Sequence, residues 1–389
     1  MVKWAGQARC RGPGGPEVRT TAITASCQVP CATRPAPGAA RAALSVAVLS
    51  TGDELPRLRD DWRRLQATVR PLNPFLSWEW QWSWWEGFGS TFSPAWLVFR
   101  ADAEVRGILP LHRDRAGASS LRIGGGLTLS DHLGFLAAPG WEAEVAAATV
   151  EWVAAGPSGG GLDLHFLPED SPSLVELRAA AQLAGVPVSD VPEEVSPYLD
   201  VPSDFEAYLE TGLGKKDRHE LRRKRRRLDQ EHPGWRAVAH AEVGLDAALD
   251  HFFALHRASH PDKAAFLTLE NVAFFRGLAR RLDEVGWLRI QLLVTADGPV
   301  AATFGFTVDR TWYLYNSGYD PAAARWSVGL LCVAEGVRAA IAEGCTRCDF
   351  LRGAEPYKYH LGARDRVLHH LRLGSGAEAP QGAPDGGPA

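Results

Sequence analysis

The chain has 389 residues, and at roughly 100–200 residues per domain that length accommodates two domains. Apolar residues make up 46% and charged residues 23%, so a sizeable core is available and wholesale disorder is excluded. The formal net charge of −4 argues against a nucleic-acid coat, and DNA is not an expected partner.

Residues 1–43 are rich in Gly, Pro, Ala and Thr without an apolar period, and read as a disordered tail. Leu44–Leu49 reads as a strand. Asp53–Ala67 reads as a helix with Leu55, Leu58, Trp62 and Leu65 on one face. Ser77 can cap a Trp-rich helix reaching Phe88. Ala95–Arg100 and Val105–His112 read as a hairpin. The Gly124–Gly126 loop leads to Asp131 and His132. Trp141–Ala155 is helical, Leu162–Leu167 a strand, Ser171–Ala184 a helix, and Val186–Val201 a Pro-broken return.

A second set follows. Lys215–Gln230 reads as a strongly basic helix and Trp235–His240 as a short strand. Leu245–Ser259 and Asn271–Val285 are helical. Leu288–Val294, Val300–Val308 and Thr311–Ser317 are strands, the first two joined at the tight-turn signal Asp297-Gly298. Ser327–Glu343 is a helix with Ser327 as N-cap and Gly344 as its stop. Arg347–Leu351 is a strand, Glu355–Leu361 a short helix and Val367–Leu373 a last strand. Residues 374–389 read as a second disordered tail. The two halves share their element order, and each has a Glu six residues after an Asp, at Asp163/Glu169 and Asp349/Glu355. A duplicated α/β unit is expected.

No apolar run of about 18 residues occurs, so no transmembrane segment is expected. Ala42–Leu49 is too short and too far from Met1 for a secretory leader, which points to a cytoplasmic protein. Cys10, Cys27 and Cys31 lie in the first tail, and Cys332, Cys345 and Cys348 in one apolar region, so no disulfide framework is expected. Cys345-x-x-Cys348 lacks a partnering Cys or His pair and reads as structural; no metal is expected.

Four features carry possible chemistry. The start of the helix at Ser327, Val328, Gly329 and Leu330 offers unpaired N–H groups and a positive dipole end that can hold a phosphate. Gly329 either lets a ligand approach or lets the helix pack on the sheet. Lys215–Arg227 holds 9 basic and 2 acidic residues; it is either a solvated face, or Arg218, Arg222 and Arg226 hold phosphates. Trp78, Trp80, Trp82, Trp84 and Trp85 are either core or a sugar-stacking platform. Asp131-His132 is either an ordinary polar loop or faces the acceptor.

The segments YNSGYDPAAARWSVGLL and GCTRCDFLRGAEPYKYHLG resemble the GNAT-type acetyltransferase domain of CelD-like polysaccharide-biosynthesis proteins. PFLSWEWQWSWWEGFG, LRIGGGLTLSDHLGFLAAPG and SPYLDVPSDFEAYLETGLGKKDRHELRRKRRRL extend the resemblance over about Leu44–Leu373. The layout is similar to the FemABX aminoacyltransferases. The resemblance implies an α/β (α+β) fold of two tandem GNAT-like units, at 44–200 and 201–373, with mixed, mainly antiparallel sheets flanked by helices. It implies transfer of an acyl group to a small-molecule amine, with acyl-CoA, acetyl-CoA foremost, as co-substrate on Ser327–Leu330 and no permanently bound cofactor.

The stretch after Arg325 has a single Gly where the common donor loop has two small residues, which leaves room for another thioester or an aminoacyl-tRNA. Attack by a neutral amine builds an oxyanion and expels a leaving group that needs a proton. The candidates are Tyr357 or Tyr359 as acid, Glu355 as base, Lys358 toward the reacting end of the donor, and Asp349 at the gap between two strands. Glu355 and Lys358 can equally serve only to cap and solubilise a short helix. Other readings are a tRNA-dependent aminoacyltransferase and a non-catalytic accessory protein of polysaccharide synthesis.

Overall fold

Local punctuation sets most element boundaries. The computed structural model describes residues 43–114, 120–156 and 161–375. The two tails, with Cys10, Cys27 and Cys31, lie outside the described residues apart from 43, 374 and 375.

The first half runs β1 (Ser45–Leu49), α1 (Arg59–Gln66), α2 (Trp78–Phe88), β2 (Phe92–Ala101), β3 (Glu104–Asp114), β4 (Arg122–Ile123), α3 (Gly126–Leu129), β5 (Leu136–Ala137), α4 (Glu142–Ala154), β6 (Leu162–Pro168), α5 (Pro172–Ala184) and β7 (Val188–Val195). Ser77 accepts from the Trp80 N–H and Ser171 from the Leu174 N–H, so both helices start at hydroxyl caps. Asp102 and Ala103, at φ +51° and +66°, make the two-residue turn between β2 and β3, as a hairpin of this twist requires.

The second half runs β8 (Tyr198–Asp200), α6 (Phe205–Thr211), α7 (Lys215–Glu231), β9 (Arg236–Ala239), α8 (His240–Val243), α9 (Leu245–Ser259), α10 (Pro261–Phe266), α11 (Leu269–Glu284), β10 (Leu288–Thr295), β11 (Gly298–Val308), β12 (Thr311–Tyr319), α12 (Val328–Ala342), β13 (Arg347–Asp349), α13 (Pro356–His360) and β14 (Val367–Leu373). Three differences from the sequence reading have local causes. The Val186–Val201 return is two strands, with Pro192 tolerated because β7 is a sheet edge. The strand expected to Leu351 stops at Asp349, since Leu351 sits at φ +58°. The six-residue α10 was not expected; Pro261 occupies its first turn and His260 caps it by accepting from the Asp262 N–H.

The strands form three sheets. One is ordered β1-β2-β3-β4 with β5 also on β3. The second is β8-β13-β12-β11-β10-β9, antiparallel except for β12 against β13. The third is β6-β14-β7, so the last strand of the chain lies between two strands of the first half. The two halves repeat one order: a strand, helices, a run of antiparallel strands, a helix, a strand, a helix and a final strand.

One aromatic core spans both halves. Trp80 of α2 packs against Phe75, Phe274, Phe306 and Tyr315 at ring separations of 4.5–5.9 Å. Trp78 and Trp84 are buried with it, and Trp82 stacks on Trp78 at 5.2 Å. The Trp cluster therefore belongs to the core, where such large side chains dominate packing energy. This helix fixes the first half against the sheet that carries the site.

Candidate active site

The site begins with a parting of two strands. β12 and β13 pair at three positions only, Thr311/Arg347, Trp312/Cys348 and Tyr313/Asp349, and then separate. A bulge on β12 at Tyr315 accompanies the parting and increases the local twist. Two chambers occupy the region, of about 410 Å³ and 380 Å³, and Lys263, Ser317 and Tyr357 line both.

The 380 Å³ chamber lies at the start of α12, where Ser327, Val328, Gly329 and Leu330 all line it. Ser327 was expected to cap this helix with its side chain. Instead it adopts φ +57° and makes no side-chain cap bond. Its carbonyl accepts from the Leu331 N–H, the first intrahelical bond, so the preceding N–H groups face the chamber end of the helix. Gly329 serves packing as well: a Cβ there would sit 3.1 Å from the Tyr319 ring. The basic side chains lining the chamber are Lys224, Lys263 and His360, without a carboxylate.

The 410 Å³ chamber is lined by Phe166, Phe266 and Phe350, and by Tyr315, Asn316 and Ser317 of β12. Tyr357 reaches it from α13, and its hydroxyl makes no hydrogen bond among the described residues. Burial, with the nearby Glu355 charge, pushes that phenol well above its ordinary range, so it stays protonated at neutral pH. Lys358, 2% exposed, donates to the carbonyls of Leu351, Arg352 and Gly353 at 2.8–3.0 Å and pairs with Glu355 at 2.8 Å. Its three donors are thus spent on shaping the loop before α13. That loop needs Gly353, whose φ is +103° and whose Cβ would fall 2.6–2.9 Å from the Glu355 carboxylate.

Two residues from the α9–α10 region complete the chamber, and sequence reasoning did not single them out. Lys263 donates to the Ser317 carbonyl at 2.6 Å, and burial pulls its ammonium down to about 8 against the opposing effect of Glu355. His256 is 1% exposed and lines the chamber, where the Asn316 side chain and the Lys263 backbone meet it. Burial and the nearby Lys263 charge push it down to about 3, so it is neutral. α9 reaches this depth because β12 has Gly318 beneath it: a Cβ there would lie 2.3 Å from the His256 backbone nitrogen.

Residues 215–359 match the family model described as "Acetyltransferase (GNAT) domain". No curated protein matches the sequence. Among solved structures, the chain is similar to FemX, with a TM-score of 0.58 at 9% identity, over 82% of this chain and 96% of that one. It is also similar to a conserved protein of unknown function from Bacteroides thetaiotaomicron VPI-5482, with a TM-score of 0.54 at 13% identity, over 85% and 99%. The fold is GNAT/FemABX-like. Its two halves repeat one element order, and the matched acetyltransferase domain carries the residues that both chambers share.

The remaining predicted residues fall around the two chambers. Asp349 lines neither chamber. It is 1% exposed, accepts from the Leu351 N–H at 2.9 Å and pairs with Arg366. His132 joins the same cluster, with Nε2 2.8 Å from Ser196 Oγ and 3.0 Å from an Arg366 nitrogen. Asp131, fully buried, accepts from Arg352 at 2.7 Å, and Arg352 lines the larger chamber above the Phe166 ring. The Asp131-His132 loop thus ties the first unit to the second and reaches the chamber through Arg352. Arg218 donates to the Leu209 and Glu210 carbonyls, and Arg222 pairs with Glu206 at 3.0 Å. Neither lines a chamber; on α7 it is Lys224 that does. Cys345 and Cys348 are buried free thiols.

A separate charge network lies on the third sheet. Asp163 accepts from His370 at 2.6 Å and from Arg122 at 3.0 Å, and His165 stacks on His370 at 3.8 Å while its Nδ1 meets Glu193 at 2.6 Å. No helix among the described residues is long and apolar enough to cross a membrane.

Proposed function

We propose that the protein is an N-acyltransferase that moves an acyl group from acyl-CoA, acetyl-CoA foremost, to an amine on a small molecule or a polysaccharide or envelope precursor. The observation that carries this reading is the junction at Tyr357. A carboxylate-free chamber at a helix N-terminus meets a second chamber there, and the phenol between them makes no hydrogen bond among the described residues. The helix dipole, the unbonded N–H groups and Lys224 suit an anionic carrier in the first chamber.

In this reading the amine nitrogen attacks the thioester carbonyl from the larger chamber. The parted edge of β12 is the source of a backbone donor for the oxyanion, and the candidate is the Ser317 N–H, which donates to Asn316 Oδ1 at 3.2 Å. The C–S bond then breaks, and the sulfur takes the Tyr357 proton. The amine loses its proton through water to Glu355, which restores the phenol. A protonated Tyr357 beside Glu355 supports this division of labour.

A thermal-shift series tests the donor. Acetyl-CoA at about 100 times its Kd is expected to stabilise the folded chain by about 2.7 kcal/mol, with ADP giving much less. Activity that requires charged tRNA and ignores every CoA thioester would sink the reading in favour of an aminoacyltransferase.

A further inference from the structure

Two histidines and an aspartate converge on the third sheet. Asp163 and His165 stand two apart on β6 and face one side of it, and His370 comes from β14. The pairing of these strands is bulged there: His165 and Phe166 together oppose His370, with Phe166 at φ +56°. The two imidazoles stack at 3.8 Å with their planes 16° apart. One nitrogen of each, with one oxygen of Asp163, falls within 4.8 Å of the others. His370 Nε2 is 2.6 Å from Asp163 Oδ1, and His165 Nε2 is 3.5 Å from that same oxygen. Arg122 takes the other oxygen, Oδ2, at 3.0 Å, so Oδ1 is left to the histidines. On its far side His165 Nδ1 meets Glu193 Oε1 at 2.6 Å. A carboxylate on one ring nitrogen fixes the tautomer that leaves the other nitrogen to bind a metal.

We propose that Asp163 Oδ1, His165 Nε2 and His370 Nε2 hold one divalent ion of the zinc class, which pins the last strand of the chain to the first half. The spacing favours an ion over a hydrogen-bond network alone. At 3.5 Å, His165 Nε2 and Asp163 Oδ1 are too far apart for a good hydrogen bond. Two ligands of tetrahedral zinc, each about 2.0–2.1 Å from the metal, lie about 3.3 Å apart. Two imidazoles and a carboxylate suit zinc, and three protein ligands leave its fourth position to water. The side chains are 15–17% exposed, so an ion reaches them from solvent. Asp163 and Glu193 against Arg122 leave the surroundings negative. The ion stands behind the wall of the larger chamber, because Phe166 and Glu193 line that chamber. Local ligand spacing could not show this set, since His370 lies 207 positions from Asp163. The proposal is independent of the acyl-transfer reading. Stripped of metal by EDTA, the three groups bond to one another, to Glu193 and to Arg122, and the chain keeps the pH response of a charged His–Asp network.

Calorimetric titration of the untagged, EDTA-stripped full chain with zinc chloride tests the proposal, with cobalt(II) chloride as a spectroscopic probe. One zinc per chain is expected, with a raised melting temperature. Cobalt(II) should give the visible absorption of a four-coordinate site without the ultraviolet band of thiolate ligands, which separates this site from the chain's cysteines. Asp163→Asn and His370→Gln should each lower zinc affinity at least about a hundredfold, and Glu193→Gln about ten- to a hundredfold. His369→Gln, the neighbour on β14 that meets Asp190, should bind as the parent does. No stoichiometric uptake of zinc by the parent at micromolar concentration, a thiolate band with cobalt(II), parent-like affinity in Asp163→Asn and His370→Gln, or an equal loss in His369→Gln overturns the proposal. The first two outcomes are read on the unaltered chain, so a variant that misfolds does not hide the answer.

Discussion

Tyr357 and Lys358 are adjacent in sequence and opposite in what the fold asks of them. The Tyr357 hydroxyl makes no hydrogen bond among the described residues, so removing it costs the fold little. Lys358 is wrapped by three carbonyls and a carboxylate, so removing it strands several buried acceptors at once. Tyr357→Phe is expected to lower kcat about a hundredfold, with the melting temperature unchanged. Lys358→Met is expected to destabilise the chain by about 2–4 kcal/mol, read by urea denaturation. The composition held a signal for such residues. Arginine outnumbers lysine 36 to 6, and three of those six lysines, Lys224, Lys263 and Lys358, line the two chambers. A lysine kept in an Arg-dominated chain marks a place where a compact ammonium on a flexible stem is needed.

Among the elements, β14 carries two half-buried histidines: His370 meets Asp163 and His369 meets Asp190, both at 2.6 Å. Beside them, burial works against a charged His165, yet its bonds to Asp163 and Glu193 prevail and push it up to about 9 from 6.5. The stabilisation from that shift is full below about pH 6.5 and is lost as pH rises through 9. Asp163 behaves in the opposite sense. Burial raises its carboxyl, but the two histidines and Arg122 hold it well below its ordinary value, so its contribution is lost on acidification. The melting temperature should therefore fall between about pH 6.5 and 9 by the equivalent of about 1–3 kcal/mol, and His165→Gln should flatten that slope. The bounds of β14 were legible in the sequence; its neighbours were not. Apolar alternation marks a strand but carries no information about which sheet receives it. α10 escaped because six residues are too few for a periodic signal, and Lys263 was missed with it; His256 lies on the expected helix α9, but a lone histidine in a helix carries no sign of the chamber it lines.

At the scale of the whole molecule, polar ties cross between the units at buried positions. Arg352 meets Asp131 at 2.7 Å, the Tyr315 hydroxyl donates to the Leu129 carbonyl at 2.9 Å, and the Leu72 N–H donates to Asp309 at 2.6 Å. Asp131→Asn removes the nearer of the two carboxylates that Arg352 meets, leaving Glu194 at 3.8 Å, and is expected to cost about 3 kcal/mol. Stopped-flow unfolding should show it, and the larger chamber should lose acceptor affinity with it because Arg352 forms part of its wall. The duplication and the order of elements could be read from local caps and stops. The sequence reading set Asp349 at a gap between two strands; in the structure Asp349 is still paired with Tyr313, and the strands part beyond it. The Arg218/Arg222 face, by contrast, turned to its own protein carbonyls and Glu206, because charge spacing on a helix does not say which face meets the sheet.

The insertion of Val367–Leu373 between Leu162–Pro168 and Val188–Val195 interlocks the chain with itself. Cleavage in the short stretch after Ala363 would leave the severed end clamped on both sides, and the nicked protein would run as one species until denatured. Expressing residues 201–363 alone would omit that strand and leave two backbone edges without a mate on the complementary piece, an invitation to aggregate. A synthetic peptide covering the missing strand would be the natural remedy.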